Sequence, residues 1–363
     1  METHAEFGGL CVRIFSKIPP VSVWLSRLAL TYVGMSSDKT LRELADENGV
    51  AIGAGVPARS FRQYPDDPTL AQTLKREFNA ITTANALKMG PLRPERKVYD
   101  FDDADAIVNF GVENDMTVRG HTLLWHKQTP EWFLAWDYTD DQLEAFVRDH
   151  IHTVAGRYHD KVDIWDVVNE AVADDGSMRE TMWYEAMGEA YLDKAFEWAN
   201  DVAPDAALYY NDYEIASDND KADAVYDLLQ RLLDRGVPID GVGIQMHSLP
   251  SYQHSREDPE AVGANIRRFK DLGLDVQVTE MDVAYGPDEE FDDRLEHQAQ
   301  YYRDVLEACL DNGCDTLITW GVHDAGTWLQ NRYDVTSDPL LFDENFKPKP
   351  AYDAIRDLLE NRS

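Results

Sequence analysis

The stretch Ile164–Val172, IWDVVNEAV, is an apolar, strand-forming run that ends in an amide and a carboxylate, Asn169 and Glu170. Such a run reads as a buried β-strand. A polar pair delivered at its end calls for an architecture in which strand ends meet. The pattern recurs outward from this stretch. Strand-like runs stand at Val50–Gly55, Phe78–Thr83, Thr117–Leu124, Val162–Val168, Ala207–Tyr210, Gly241–Gln245, Val276–Thr279 and Thr316–Trp320. Amphipathic segments with helical spacing separate them, among them TDDQLEAFVRDHIHTVAGRYHD, WYEAMGEAYLDKAFEWANDV and DRLEHQAQYYRDVLEACLDNG. Several helical segments stop at Gly or Asn-Gly. Eight strand–helix units in about 310 residues fit an α/β fold, the closed (β/α)8 TIM barrel with its parallel sheet. An open doubly wound sheet is the alternative, but no Gly-x-Gly-x-x-Gly or Gly-Lys-Ser/Thr loop follows a strand.

No linker interrupts this alternation, so 35–363 is expected to form one catalytic barrel domain, with a helix at 38–48 closing its bottom or flank. The preceding segment Leu10–Gly34 is apolar with a few cations and is broken by Pro19-Pro20. It has no twin arginine and no clean cleavage site. From Met35 the chain reads as a natural start, MSSDKTLRELADENGVAIG. Residues 1–34 are therefore expected to be a non-native or disordered extension. On the sequence as given the protein is expected to be cytoplasmic, or secreted if another route exports it.

The net charge is −34, from 68 acidic and 34 basic residues. That balance argues against nucleic-acid partners, whose phosphates need Lys and Arg. It argues equally against anionic membrane surfaces. No uncharged apolar stretch reaches the roughly 18 residues of a membrane span. The acids are dispersed, as in DFDDADA, DYTDDQ and DEEFDD. A solvated acidic shell of this kind suits strong salt, and a halophilic origin is the expectation; an acidic protein of no special habitat is the alternative. Cys11, Cys309 and Cys314 have no metal spacing and read as buried free thiols. No metal or cofactor is expected, and a monomer is.

In a barrel of this kind the carboxyl ends of the strands build the site. Strand 2 leads to Asn85 and Lys88. Strand 3 leads to His121, Trp125, His126 and Gln128, and strand 4 to Asn169 and Glu170. Strand 5 ends in YYNDYE, which holds Tyr213. Strand 6 supplies Gln245 and His247, strand 7 Glu280 and Asp282, and strand 8 Trp320, followed by Trp328. Two carboxylates beside amides and flat aromatic walls suit neutral sugars, because indole faces stack on pyranose rings while amides and Lys bind hydroxyls.

Together the stretches EFNAITTANALKM, GHTLLWHKQTPEW, WDVVNEAV, YYNDYE, GVGIQMHS, VTEMDV and ITWGVHDAGTWL resemble glycoside hydrolase family 10, the endo-β-1,4-xylanases. They occur in family order across about residues 38–358. The resemblance implies a retaining enzyme acting on xylan or xylooligosaccharides, with Glu170 as acid/base and Glu280 as nucleophile. Retention asks for two carboxyls about 5–5.5 Å apart, with the acid/base pKa raised above that of the nucleophile. The resemblance also implies that Asn169 serves the sugar 2-hydroxyl and the nucleophile, that His247 bonds Glu280 with Asp282 orienting it, and that Gln245 touches Glu170. Asn85, Lys88, Trp125, His126, Gln128, Tyr213, Trp320 and Trp328 are then expected to bind substrate. The chain departs from the family at Ala84, usually Glu, and Met89, usually Trp, which puts the second glycone subsite in doubt. A related β-glycosidase acting on β-glucan or short xylooligosaccharides, and a non-catalytic sugar-binding barrel, are the alternative readings.

Overall fold

Eight parallel strands pair in sequence order and close on themselves: β1 (Ala51–Gly55), β2 (Ala80–Thr82), β3 (Thr117–Leu124), β4 (Ile164–Asn169), β5 (Ala207–Asp212), β6 (Gly241–Ile244), β7 (Asp275–Val283) and β8 (Thr316–Thr319). Closure is made where β8 returns to β1, with Thr316 beside Ala51. A two-residue strand, His247–Ser248, extends the β6 side and pairs with the end of β7. The ring has no free edges, which removes the open doubly wound alternative. The structure is a computed structural model that describes residues 39–362 apart from 59–60, 62–67, 250–255, 287–288, 290, 330–332, 334 and 337. The expectations for residues 1–34, Met35 and Cys11 lie outside the described residues.

The principal helices are α1 (Leu41–Asn48), α2 (Thr69–Glu77), α3 (Asp102–Glu113), α4 (Asp140–Arg157), α5 (Ala190–Val202), α6 (Asp220–Asp234), α7 (Pro259–Lys270), α8 (Arg294–Asp311) and α9 (Pro350–Glu360). Helix α1 begins with a reciprocal capping box between Thr40 and Glu43. It is tied to both ends of the helical ring: Leu41 N donates to Glu77 of α2, and Asn48 Nδ2 to Leu359 O of α9. The segment WYEAMGEAYLDKAFEWANDV forms two helices rather than one. Its first helix, Met182–Met187, stops at Gly188, whose φ of 61° is left-handed. Among the described residues, no helix is long and apolar enough to cross a membrane.

Strand boundaries differ from the sequence expectation where the site is built. β4 runs to Asn169, β5 to Asp212 and β7 to Val283. Asn169 and Glu280 therefore sit within strands rather than in the loops beyond them. In β7 a register shift against β8 between Val278 and Met281 carries the ladder past its expected end.

The barrel interior beneath the site holds a buried charge. Arg119 on β3 donates to Asp166 on β4 at 3.1 and 2.5 Å and to Gln277 on β7 at 2.8 Å. A satisfied pair of this kind tolerates burial, whereas removal of one partner costs about 3–5 kcal/mol. Asp166 also meets His121 Nδ1 at 2.8 Å, so the ion pair is the floor on which the site rests.

Candidate active site

At the carboxyl rim a groove of about 560 Å³ opens over this floor. Both Glu170 and Glu280 line it, although each is almost fully buried. Their surroundings join through amides. Gln245 Nε2 donates to Glu170 Oε1 at 3.3 Å and to Asn169 Oδ1 at 3.2 Å. Asn211 Nδ2 donates to the same Asn169 oxygen at 2.8 Å and to Glu280 Oε1 at 2.8 Å. The amide of Asn169 also fits with O and N exchanged, accepting from Trp125 Nε1 at 3.2 Å and donating to Asn211 O at 3.2 Å. In the first of these orientations three amides, from β4, β5 and the end of β6, bridge the two carboxyls.

The chain bends sharply where it leaves the barrel. Non-glycine residues after four strands have left-handed backbones: Ala84 (φ 38°), Glu170 (58°), Glu214 (55°) and Met246 (59°). Such conformations cost on the order of 1–3 kcal/mol each and are held only by a surrounding structure that over-determines them. They are concentrated here because each strand must turn its next side chains over the groove.

His247 lies between two carboxylates, with Nε2 3.3 Å from Glu280 Oε2 and Nδ1 3.1 Å from Asp282 Oδ2. Burial alone would lower its pKa, but Asp282 and then Glu280 outweigh burial and push it up to about 10. The ring is an imidazolium at neutral pH. Asp282 is fully buried and outside the groove, and it accepts from Trp328 Nε1 at 2.7 Å.

Glu170 departs from the expectation. Burial raises its pKa, but the charge of Lys127, a hydrogen bond from Trp125, the charge of His126 and a hydrogen bond from Gln245 together bring it below the ordinary carboxylate value. The raised pKa expected of a general acid is therefore not found: Lys127, 3.5 Å from Glu170 Oε2, favours the carboxylate, and its approach across space leaves no mark in the sequence.

Trp125, Trp320 and Trp328 line the groove with Asn85, Lys88, Gln128, Tyr213 and Gln245. The Lys88 ammonium lies 4.4 Å from the Trp125 ring centre and 5.7 Å from that of Trp320. Trp320 packs against the backbone of β1 at Gly55, where an added Cβ would come within 2.8 Å of the indole. His126 does not line the groove; its Nδ1 stands 3.8 Å from Glu170 Oε2, and burial, despite the pull of Glu170, lowers its pKa to about 4. His121 reaches the groove floor, 3.9 Å from Glu280 Oε1. Ala84 and Met89 are buried and do not line the groove.

Asn211 and, along the groove, Lys127, Asp174, Arg179, Glu214 and Tyr333 are not among the residues expected from the sequence. Asn211 stands in YYNDYE, two residues before Tyr213, and its inward direction depends on strand register. Lys127 stands in WHKQ and reads as an ordinary surface cation. Among the described residues, no group of three or more His, Cys, Asp and Glu side chains could hold a metal ion.

A closed (β/α)8 barrel whose rim presents two buried, amide-bridged carboxylates between indole walls is the architecture of a glycoside hydrolase. The chain belongs to glycosyl hydrolase family 10, whose model matches residues 40–358. It is 40% identical over 328 residues to endo-1,4-beta-xylanase B of Thermotoga neapolitana, covering 90% of this chain and 93% of that one. It is 42% identical over 318 residues to a beta-1,4-xylanase of Dictyoglomus thermophilum, covering 83% and 86%. Among solved structures, xylanase 10B from Thermotoga petrophila in complex with xylobiose superposes with a TM-score of 0.84 at 38% identity, over 91% of this chain and 99% of that one.

Proposed function

We propose that the protein hydrolyses internal β-1,4-xylosidic bonds of xylan with retention, Glu280 acting as nucleophile and Glu170 as acid/base. The observation that carries this reading is the amide bridge joining the two buried carboxylates across a groove walled by indoles. In the first step a Glu280 oxygen attacks the anomeric carbon and the glycosidic C–O bond breaks, with the leaving oxygen taking the proton of Glu170. In the second, Glu170 removes a proton from water, whose oxygen displaces Glu280 and releases the sugar. The His247 imidazolium, 3.3 Å from Glu280 Oε2, fixes the direction of the carboxylate for attack. Asn169, with Asn211 and Gln245 behind it, offers a preset polar group where positive charge develops on the ring.

The described barrel acts as a single catalytic unit and as a monomer, and its dispersed acidic shell is an adaptation to concentrated salt. Reducing-sugar release from xylan in preference to carboxymethyl-cellulose tests the substrate. Release from cellulose at a matching rate would move the reading to the β-glucan alternative. Glu170→Ala should slow xylan hydrolysis by orders of magnitude more than turnover of an activated aryl β-xylobioside, and equal losses would contradict the acid role. Unfolding followed across KCl concentrations tests the halophilic reading, which expects stability to fall as salt is withdrawn.

A further inference from the structure

Lys127 follows His126 in the loop after β3. Its side chain is 54% exposed, and its ammonium stops 3.5 Å from Glu170 Oε2. That oxygen has no hydrogen bond among the described residues. The other carboxylate oxygen, Oε1, receives Gln245 at 3.3 Å and Asn169 at 3.4 Å. His126 Nδ1, 3.8 Å from Oε2, also lacks a hydrogen bond. Oε1 is thus held by amides, while Oε2 faces the Lys127 ammonium at 3.5 Å and His126 Nδ1 at 3.8 Å.

The remaining charged groups around Glu170 are already committed. Lys221 of α6 pairs with Asp212 of β5 at 2.9 Å. Arg179, from the loop after β4, donates to Glu170 O at 2.9 Å and to the Tyr213 hydroxyl at 2.9 Å, and its Nη2 lies 3.7 Å from Asp174. Glu280 of β7, Asp174 and Glu214 line the same groove and oppose a further negative charge. Among the described residues, Lys127 has no carboxylate within ion-pair distance other than Glu170.

We propose that Lys127 is a positioning residue acting through Glu170: its half-exposed ammonium sets the upper pH limit of turnover and makes that limit depend on salt. The inference rests on Glu170 being the acid/base. A cation beside Oε2 favours the carboxylate over the acid, so the protonated form that a leaving oxygen needs is lost at lower pH than burial would otherwise dictate. Of the opposing influences on the buried carboxyl, Lys127 is the largest.

Salt makes the inference testable because two effects have opposite signs. The net charge of −34 raises every carboxyl pKa in dilute salt, so added salt lowers them. The attraction of Lys127 lowers the Glu170 pKa, so screening it raises that pKa. The Debye length is about 3 Å at 1 M, comparable to the contact itself, and an exposed ammonium is open to it. Comparison of wild type with a Lys127 variant cancels the first effect and leaves the second.

The experiment is the pH profile of kcat/KM on a xylooligosaccharide at about 0.5 M and about 3 M KCl, for wild type, Lys127→Met and Lys127→Arg, with circular dichroism confirming the folded state at each point. At the lower salt the alkaline limb of Lys127→Met should lie about half a pH unit above that of wild type, narrowing to under about a quarter of a unit at the higher salt. Lys127→Arg should keep the wild-type limb. A limb unmoved by Lys127→Met, moved downward, displaced equally at both salts, or displaced alike by Arg and Met overturns the inference while leaving the role of Glu170 standing. A wild-type profile with no alkaline limb overturns the acid/base assignment and the inference with it.

Discussion

Two buried histidines, one in the groove and one behind the barrel wall, are driven in opposite directions. His247 is held at about 10 and is charged, while His150 on α4 is pushed down to about 3 and is neutral. Burial works against the charged form in both. At His247 the carboxylates of Asp282 and Glu280 overcome it. At His150 burial is joined by the charge of Arg93, outweighing an opposing backbone hydrogen bond at Leu123, and the ring lies against Tyr99 and Phe146 at centroid distances of 6.2 and 6.5 Å. The neighbours decide whether a buried imidazole is an ion or a flat apolar filler.

The largest effect should come from Glu280→Ala, which removes one of the two carboxylates facing His247. Turnover of an aryl β-xylobioside should fall by about 10⁴-fold or more, and the imidazole titration, followed by NMR, should move below 10. Appreciable residual turnover would reject the nucleophile. Asp282→Asn removes the stronger of the two influences. The His247 titration should drop toward the ordinary value near 6.5, and kcat should fall by about 10–100-fold. A titration that stays near 10 would mean that Asp282 is not what charges the ring.

On the other side of the comparison, His150→Phe should change stability rather than rate. With a folded pKa of about 3 and an unfolded value near 6.5, the unfolded state binds the proton first, so stability drains away as pH falls through that window. By pH 5 the loss should be about 2 kcal/mol, read from denaturant midpoints at pH 7 and pH 5 in constant salt. His150→Phe should flatten that dependence, and an unchanged slope would break the contrast. His247 behaves oppositely: its contribution is complete below about 6.5 and is lost as pH rises through about 10. The smallest effect concerns His126, held at about 4 by burial, with Arg179, Lys127 and Lys221 adding to that and Glu170 opposing. Lys127→Met should raise its titration by about half a unit.

The barrel was legible because each strand is a short apolar run between amphipathic segments, and β3 matches its sequence boundaries residue for residue. The carboxylate pair was legible because Glu170 and Glu280 stand at the ends of such runs. Three features were not. The extension of β7 to Val283 depends on a register shift that leaves no mark in the chain. Asn211 points at Glu280 only because β5 pairs as it does with β4 and β6. The direction of the Glu170 shift depends on a contact from Lys127 across space, and a lysine beside a histidine and a glutamine is outwardly like any surface cation.

The indole of Trp320 rests on the bare backbone of Gly55, with His121 and His247 edge-on to it at 5.2 and 6.3 Å. The plane against which a pyranose would lie is thus gauged from the opposite wall by a hydrogen atom. A single methyl group at position 55 would tilt that plate and, with it, the two rings that flank Glu280. The groove-lining side chains can vary without touching this spacer, so the seat of the Trp320 indole is fixed by a residue that does not itself line the groove.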